Sequence, residues 1–594
     1  MSSDAEQLKH DSHYLRGPLA AELANDESGF SDDANNLLKF HGIYQQDDRD
    51  RRRELTRAGE GPAYSCMVRC AVPAGVLRSD QWFEIDRLAD TVAPEGTPGA
   101  LRLTTRQGVQ YHFVHKGGLK GLVNALNHGL VTTYAACGDV VRNIMVSSAP
   151  HAGRDLERVE SLARALANRF RPRSAAYWEL WLDGERAVSS GPAAAGDRPS
   201  SGDDAEPIYG PTYLPRKFKI GIAVPGDNSI DVYSNCVGIV PIDGPDGEPG
   251  AVVLAGGGLG RNHADETTFP RLAEPMAWVP EDRIVDVVEG IVVTFRDWGN
   301  REDRRKARLK YVVEEHGIDW LRHQVEEYLG TTLADPVPLP PWENPRKHLG
   351  WHRQDDSTWF IGVPVPGGRL VDTDLHRPRA AIRAVLTDHA DEIRLTPNQD
   401  VLLCGIAEAD KAAVEQLLTD HGVRQAERFP LSVLSSMACP ALPTCGKALG
   451  EAERVLPEVT ATLDRLLAER GLHDVAIETR MTGCPNGCAR PYVAELGIVG
   501  RTKSAYDIFI GGDPAGTRLA TRLIESVPLD KLADVVGPLL DRYRVDRLLG
   551  EGFGDWADRR GVVSLAEHLP VVSPRSRRAG RVEVERERFV GVGR

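Results

Sequence analysis

No run of about 18 apolar residues interrupts this 594-residue chain, so no segment of it reads as a membrane-spanning helix. The opening MSSDAEQLKHDSHYLRG lacks an apolar core of the kind a secretory leader carries, and a cytoplasmic setting is expected. Positive charge is in deficit: 72 Lys and Arg face 86 Asp and Glu, a net charge of −14 that argues against general affinity for nucleic acid or anionic membrane. Cysteine is sparse and odd in number, with nine residues at Cys66, Cys70, Cys137, Cys236, Cys404, Cys439, Cys445, Cys484 and Cys488. That count excludes a fully paired disulfide framework and fits reduced thiols with a metal site. A G-x-G-x-x-G fingerprint is missing from the glycine-rich stretch LAGGGLGRNH around Gly257, so a dinucleotide site is not assigned there. What remains is an ordinary composition, 41% hydrophobic and 27% charged, in a chain long enough for several domains.

Against this background four cysteines stand out, Cys439 and Cys445 in MACPALPTC and Cys484 and Cys488 in TGCPNGC. A C-x5-C pair followed by a C-x3-C pair, set among Pro, Gly and Asn, offers four soft thiolates on turns, as an iron–sulfur cluster requires. Structural zinc favours C-x2–4-C pairs, which makes the first spacing long for zinc. Four unrelated buried thiols are the remaining alternative.

The chain also resembles itself. LRLTTRQGVQYHFV from Leu101 recurs as IRLTPNQDVLLCGI from Ile393, with Arg102, Leu103, Thr104, Gln107 and Val109 answered 292 residues later by Arg394, Leu395, Thr396, Gln399 and Val401. Upstream, CAVPAGVL around Pro73 answers GVPVPGGRL around Pro366; downstream, NIMVSS at Met145 answers LSSMAC at Met437. Three matches in order at nearly one offset indicate a duplication. Each copy has alternating strands such as MVRCAV and VQYHFV beside a helix, DQWFEIDRLADTV in one and DLHRPRAAIRAVLTDH in the other, an α+β pattern. A mixed unit follows each, with helices at DLERVESLARALANRF and EAERVLPEVTATLDRLLAER. Cys439 of the second copy corresponds to Ser147 of the first, so one copy carries the thiol ligands and its twin is free for another task. Two related halves make a natural site for a pocket. The Gly/Ser/Pro-rich stretch from about Val188 to Pro207 reads as a mobile loop or insertion, and SPRSRRAGRVEVERERFVGVGR as a charged tail.

Cations gather in apolar surroundings. Arg69 lies in CMVRCAV, Arg142 in CGDVVRN, and Lys217 and Lys219 in TYLPRKFKIGIAV, where alternation puts both lysines on one face and Phe218 and Ile220 on the other. A solvated sheet face is the bland reading; buried cations instead need an anionic partner, which implies a small anion or a polycarboxylate ligand. RLTTRQGVQYH places Arg102, Arg106, Gln110 and His112 at even spacing, expected to share one face of a single strand that would suit a large acidic cofactor or form a polar outer face.

With these residues in view, the chain closely resembles the siroheme-containing hemoprotein subunits of assimilatory sulfite reductases, in the siroheme/[4Fe–4S] nitrite and sulfite reductase family. The resemblance runs from Leu15 to about Val572 and rests on YLRG, FHGIYQQDDRD, RLTTRQ, TYLPRKFK, RDWGNREDR, MAC-x5-C, TGCPNGC and GEGFGD. It implies a pseudo-two-fold α+β fold, a [4Fe–4S] cluster on Cys439, Cys445, Cys484 and Cys488, and Cys488 as axial ligand of the siroheme iron. It implies that Arg69, Arg142, Lys217 and Lys219 bind sulfite. Arg102, Arg106, Gln110, His112, Arg216, Gln399 and Asn486 would help hold the siroheme carboxylates or flank the cofactors. The implied activity is six-electron reduction of sulfite to sulfide, with nitrite reduction as the alternative on the same cofactor pair. Electrons must come from a partner, a flavoprotein subunit oxidising NADPH or a ferredoxin.

The resemblance also implies an organisation: an extension over 1–62 that wraps the core, a ferredoxin-like half-domain over 63–133, a siroheme and substrate domain over 134–345, a second half-domain over 346–428, a cluster and siroheme domain over 429–572, and the tail over 573–594. RQGVQYHFVHK and ACGDVVRN look more like the ferredoxin-dependent branch. Some members of that branch carry a Tyr–Cys crosslink near siroheme; Cys137 falls at the matching cysteine and Tyr64 near the tyrosine position, with an unreactive buried thiol as the alternative.

Overall fold

Alternation in VQYHFV gives the strand Val109–Val114, the middle of a five-stranded sheet ordered Ile43–Asp47, Tyr64–Arg69, Val109–Val114, Ala100–Leu103, Arg369–Val371. A twin sheet runs Gly350–Arg353, Thr358–Val363, Val401–Ala407, Glu392–Leu395, Val76–Arg78. The structure, a computed structural model, describes residues 3–150, 154–183, 206–343, 348–355 and 357–569. Almost all of the stretch expected as a mobile loop, and the whole charged tail, lie outside the described residues.

The last strand of each sheet comes from the other copy. Arg369 and Leu370 pair antiparallel with Arg102 and Leu101, while Arg78 and Leu77 pair with Glu392 and Ile393. Both exchanged strands leave the same turn, Pro73–Gly75 in one copy and Pro366–Gly368 in the other, where Ala74 has φ +63° and Gly367 φ +68°. The exchange covers an edge of each sheet that would otherwise present unpaired backbone groups. Ile43–Asp47, within the stretch read as an extension, is the opposite edge strand of the first sheet, just as Gly350–Arg353 edges the second.

Helices Ser79–Thr91 and Pro378–Asp388 back the two sheets, burying Trp82, Ile85 and Leu88 in one and Ala381, Ile382 and Val385 in the other at helical spacing. Between them Arg379 is buried, donating to Asp86 at 2.6 Å and to Asp90 at 2.7 and 2.9 Å. Arg379→Ala is therefore expected to cost about 3–5 kcal/mol by leaving Asp86 buried and undercompensated, and urea unfolding of the full chain measures it.

A second pair of sheets repeats one topology. Met145–Val146, Ile220–Ile222, Val237–Pro241, Gly250–Ala255 and Glu274–Pro280 form one; Ser436–Ala438, Thr479–Thr482, Leu496–Gly500, Ala505–Ile510 and Thr521–Pro528 form the other. In each the first two pairings are parallel and the next two antiparallel. A 15-residue helix follows each sheet, Ile284–Trp298 and Leu532–Asp546. The chain divides into two compact units, Met1–Gly258 with Ala273–Ala426, and Leu259–Leu272 with Glu427–Arg594. The first unit holds three of these sheets and the second holds the fourth. Among the described residues no helix is long and apolar enough to cross a membrane.

Candidate cluster pocket and cationic site

In the second unit the strands Ser436–Ala438 and Thr479–Thr482 run parallel, with Ala438 opposite Met481. Their carboxyl ends lie side by side, so the two cysteine motifs that follow them meet although far apart in sequence. Cys439 N–H donates to Met481 O at 3.1 Å, and Gly483 N–H donates to Cys439 Sγ at 3.3 Å. Gly483 must be glycine: a Cβ there would meet Ala441 Cβ at 2.5 Å and Gly450 O at 2.6 Å. Gly487 has φ +63°, a conformation that costs glycine nothing. Asn486 Nδ2 lies 3.6 Å from Cys484 Sγ, a second donor aimed at a sulfur.

Cys439 and Cys484 both feel the other thiols. Burial pushes Cys439 up from the ordinary thiol value, and Cys488, Cys484 and Cys445 add to the shift. Burial likewise pushes Cys484 to about 12, again with Cys488 and Cys445 contributing. Among the described residues, however, no three His, Cys, Asp or Glu side chains converge on one ion-sized point. A single zinc with bonds of about 2.3 Å needs such convergence, whereas a polynuclear cluster takes more widely set thiolates. Two buried thiols within electrostatic reach of the other two, with N–H donors on both of their sulfurs, fit an iron–sulfur cluster, whose iron deprotonates the thiols it binds.

The first copy holds the same framework without the thiols. Val224 N–H donates to Ser147 Oγ at 3.1 Å, the counterpart of Gly483 N–H on Cys439. Gly260 and Arg261 of the glycine-rich stretch belong to the second unit, where Arg261 N–H donates to Pro485 O at 3.0 Å and a Cβ on Gly260 would meet Asn486 O at 3.3 Å. Gly260 serves a close approach to the cysteine loop.

The cations gather in the first unit. Phe218 and Ile220 are buried, and Lys217 and Lys219 alternate with them, in an extended lead-in to the strand Ile220–Ile222. Burial pushes Lys217 well below the ordinary lysine value, and Arg142, Arg216, Arg308 and Lys219 all push it the same way. Arg216 lies 3.6 Å and Arg304 2.7 Å from Asp139. Burial alone would raise Asp139, but Arg304, Lys9 and Arg216 outweigh it and hold the carboxyl below its usual range. Lys217 itself has no carboxylate partner among the described residues. A half-buried crowd of like charges is a fitting cradle for an anionic cofactor and substrate.

A bound dianion should relieve that crowding. Because Lys217 titrates lower in the native than in the unfolded chain, its penalty grows as pH falls from the ordinary lysine range toward the depressed value. Sulfate should therefore raise the melting temperature of siroheme-free protein near neutral pH, and Lys217→Met should raise it without sulfate while shrinking the sulfate effect; thermal melts of both proteins measure this.

Arg102, Arg106, Gln110 and His112 do not share a strand. Residues 104–108 form a hairpin turn, so Arg102 lies on Ala100–Leu103 and faces Gln110 across the ladder on Val109–Val114. The polar turn residues break the strand that even spacing suggested. Gln110 O accepts from Arg69 Nε at 2.8 Å while its amide nitrogen faces His112 Nε2 at 3.3 Å, which brings Arg69, Gln110 and His112 together. Arg106, on the turn, donates to Asn143 O at 2.8 Å, Ile220 O at 2.7 Å and Asn235 Oδ1 at 2.9 Å, a framework role. Gln399 donates to Leu103 O at 3.3 Å and Gln107 donates to Leu395 O at 3.0 Å, a reciprocal tie between the half-domain copies.

The neighbour of Cys137 is not Tyr64. Tyr64 is 37% exposed at the start of its strand, whereas Tyr44 hydrogen-bonds both the Cys137 thiol and Arg142. Arg69 Nη1 also reaches Cys137 Sγ at 2.8 Å, and its guanidinium lies 6.0 Å from the Tyr44 ring. The tyrosine set beside the Cys137 thiol is Tyr44. Tyr44, Arg304 and Arg308 were not singled out from the sequence, although Tyr44 and Arg304 lie inside FHGIYQQDDRD and RDWGNREDR.

A duplicated fold, with cysteines following the carboxyl ends of parallel strands in one copy and a cluster of cations in the other, fits an iron–sulfur protein that handles anions. The chain belongs to the nitrite and sulphite reductase family. Residues 162–333 match the family described as "Nitrite and sulphite reductase 4Fe-4S domain", and residues 58–129 and 352–421 match "Nitrite/Sulfite reductase ferredoxin-like half domain". The first match contains a single cysteine, Cys236, so its description does not locate the ligands. The chain is 41% identical to a "Sulfite reductase [NADPH] hemoprotein beta-component" of Paenibacillus sp. (strain JDR-2), over 94% of this chain and 96% of that one. It is also 41% identical to a "Sulfite reductase [ferredoxin]" of Synechococcus elongatus, over 95% of this chain and 90% of that one. The solved structure of the Mycobacterium tuberculosis NirA protein shares the fold, with TM-score 0.75 and 23% identity over 95% of this chain and 98% of that one.

Proposed function

We propose that this chain is the hemoprotein of an assimilatory sulfite reductase, reducing sulfite to sulfide with six electrons. The observation that carries the reading is the crowd of cations, Arg142, Arg216, Arg308 and Lys219, that presses on the buried Lys217 in a chain of net charge −14. Cys439, Cys445, Cys484 and Cys488 would hold a [4Fe–4S] cluster, and Cys488 would also help hold a siroheme; together these groups would supply the electron chemistry when bound. Arg69 and Arg142 bind sulfite as fixed cations, because guanidinium does not give up its proton. Lys217 and Lys219 both bind and deliver protons to oxygens that leave as water. Arg216, Gln110 and His112 would help hold the siroheme carboxylates and Asn486 would steady the cluster loop, while Arg102, Arg106 and Gln399, whose side chains donate to backbone carbonyls, would hold the framework beneath.

Electrons come from a protein partner in the cytoplasm. Relatives named for NADPH and for ferredoxin match equally well at 41% identity, so the reading covers both donor classes. The test is steady-state kinetics of the siroheme-loaded protein with a chemical reductant, comparing sulfite and nitrite. The reading expects sulfide as product and the higher kcat/KM for sulfite; a large preference for nitrite overturns it.

A further inference from the structure

Cys236 is fully buried immediately before the strand Val237–Pro241. Ile220 lies opposite Val237 in a parallel ladder, which sets Lys219 beside Cys236, and Val237 N–H donates to Lys219 O at 3.1 Å. The Lys219 backbone N–H is hydrogen-bonded to the thiol sulfur. Arg308 Nη2 approaches the same sulfur at 3.5 Å, and Arg308 is 8% exposed with no partner for its Nε among the described residues. The charged groups acting on Cys236 are thus Arg308, from the loop before the helix Leu309–His316, and Lys219, from the parallel neighbour. Both also press on Lys217.

The duplicated framework gives an independent view of this position. Thr479 lies opposite Leu496 as Ile220 lies opposite Val237, so Glu478 and Glu495 occupy the places of Lys219 and Cys236. Glu478 N–H donates to the Glu495 carboxylate at 2.9 Å, the counterpart of the Lys219 N–H bond to Cys236. Both copies therefore seat a buried acid before the third strand and aim the same backbone donor at it. In the second copy that acid is a carboxyl that burial raises to about 7. In the first, burial would raise the thiol, but Arg308 and Lys219 outweigh it and bring it below the ordinary thiol value.

We propose that Cys236 is the resident counter-anion of the cationic pocket, a thiolate in the absence of substrate, and that it takes up one proton from solvent when sulfite binds. The inference rests on the reading of this pocket as the sulfite site. A dianion arriving among the same cations competes for Lys219 and Arg308 and repels the thiolate, so the sulfur accepts a proton and becomes neutral. No electron moves; one S–H bond forms. The proton then sits beside Lys219, and Cys236 acts as a positioning residue that sets the charge of its neighbours.

Calorimetric titration of the oxidised, siroheme-loaded protein with sulfite, repeated in buffers of different ionisation enthalpy just below the ordinary thiol range, counts the protons taken up. Wild type is expected to exceed Cys236→Ser and Cys236→Ala by a number approaching one proton per sulfite; the ionisation of sulfite itself is common to all three. An S–H stretching band should appear in the infrared difference spectrum of wild type on sulfite addition, a measurement that needs no variant. Equal uptake in the three proteins, or no new S–H band in wild type, overturns the inference while leaving the sulfite site standing. Failure of wild type to bind sulfite overturns the parent reading and the inference with it.

Discussion

Cys484→Ser is expected to yield a protein without labile sulfide and without sulfite reduction. The reason is local and geometric. Cys484 is buried at the carboxyl end of Thr479–Thr482, next to Cys439 at the end of the parallel neighbour, and the two lie within electrostatic reach of Cys445 and Cys488. A serine hydroxyl does not ionise near neutral pH and is a hard ligand, so the fourth soft donor is lost. Cys66→Ala supplies the contrast. Its thiol is buried and pushed up to about 12 by burial, the state of an inert core cysteine. That variant should keep full iron and sulfide content, and colorimetric iron and sulfide assays on both proteins check the pair.

Lys217→Met should lower kcat for sulfite by roughly 10²–10³-fold, the range for loss of a positioned proton donor and cation. Lys217→Arg separates the two roles. It keeps the charge and the attraction for the anion, so KM should change little, but guanidinium hardly releases a proton, so kcat should still fall about 10²-fold. The pH profile carries the sign. Burial and four neighbouring cations hold Lys217 below the ordinary lysine value, so wild-type kcat/KM should decline with rising pH at a value below the usual lysine range. A bound dianion restores the proton, so the corresponding limb of kcat should lie at higher pH. Coincident limbs, or an unchanged kcat in both variants, would remove Lys217 from proton delivery.

The duplication was legible in the chain because LRLTTRQ and IRLTPNQ share Arg, Leu, Thr and Gln in one register, and the two turns at Pro73 and Pro366 share one backbone path. The cysteine pairs were legible because thiol spacing is local. The exchange of strands Val76–Arg78 and Arg369–Val371 was not, since both are too short to show which sheet they join. Period-two reasoning failed at RLTTRQGVQYH because it cannot see a turn whose residues are themselves polar. It succeeded at RKFKI, where Phe218 and Ile220, alternating with the lysines, are buried. Tyr44 escaped notice for another reason: its partner Cys137 is distant in sequence, and only the folded chain brings them together. Equally hidden was the place of Cys236, which needs the register of two parallel strands to put Lys219 beside it.

The most direct test is the metal and chromophore content of the protein purified after expression with siroheme supply. The account expects siroheme absorption bands together with iron and acid-labile sulfide, about four of each from the cluster and one further iron from the siroheme. Zinc without iron, or iron without siroheme bands, would contradict it.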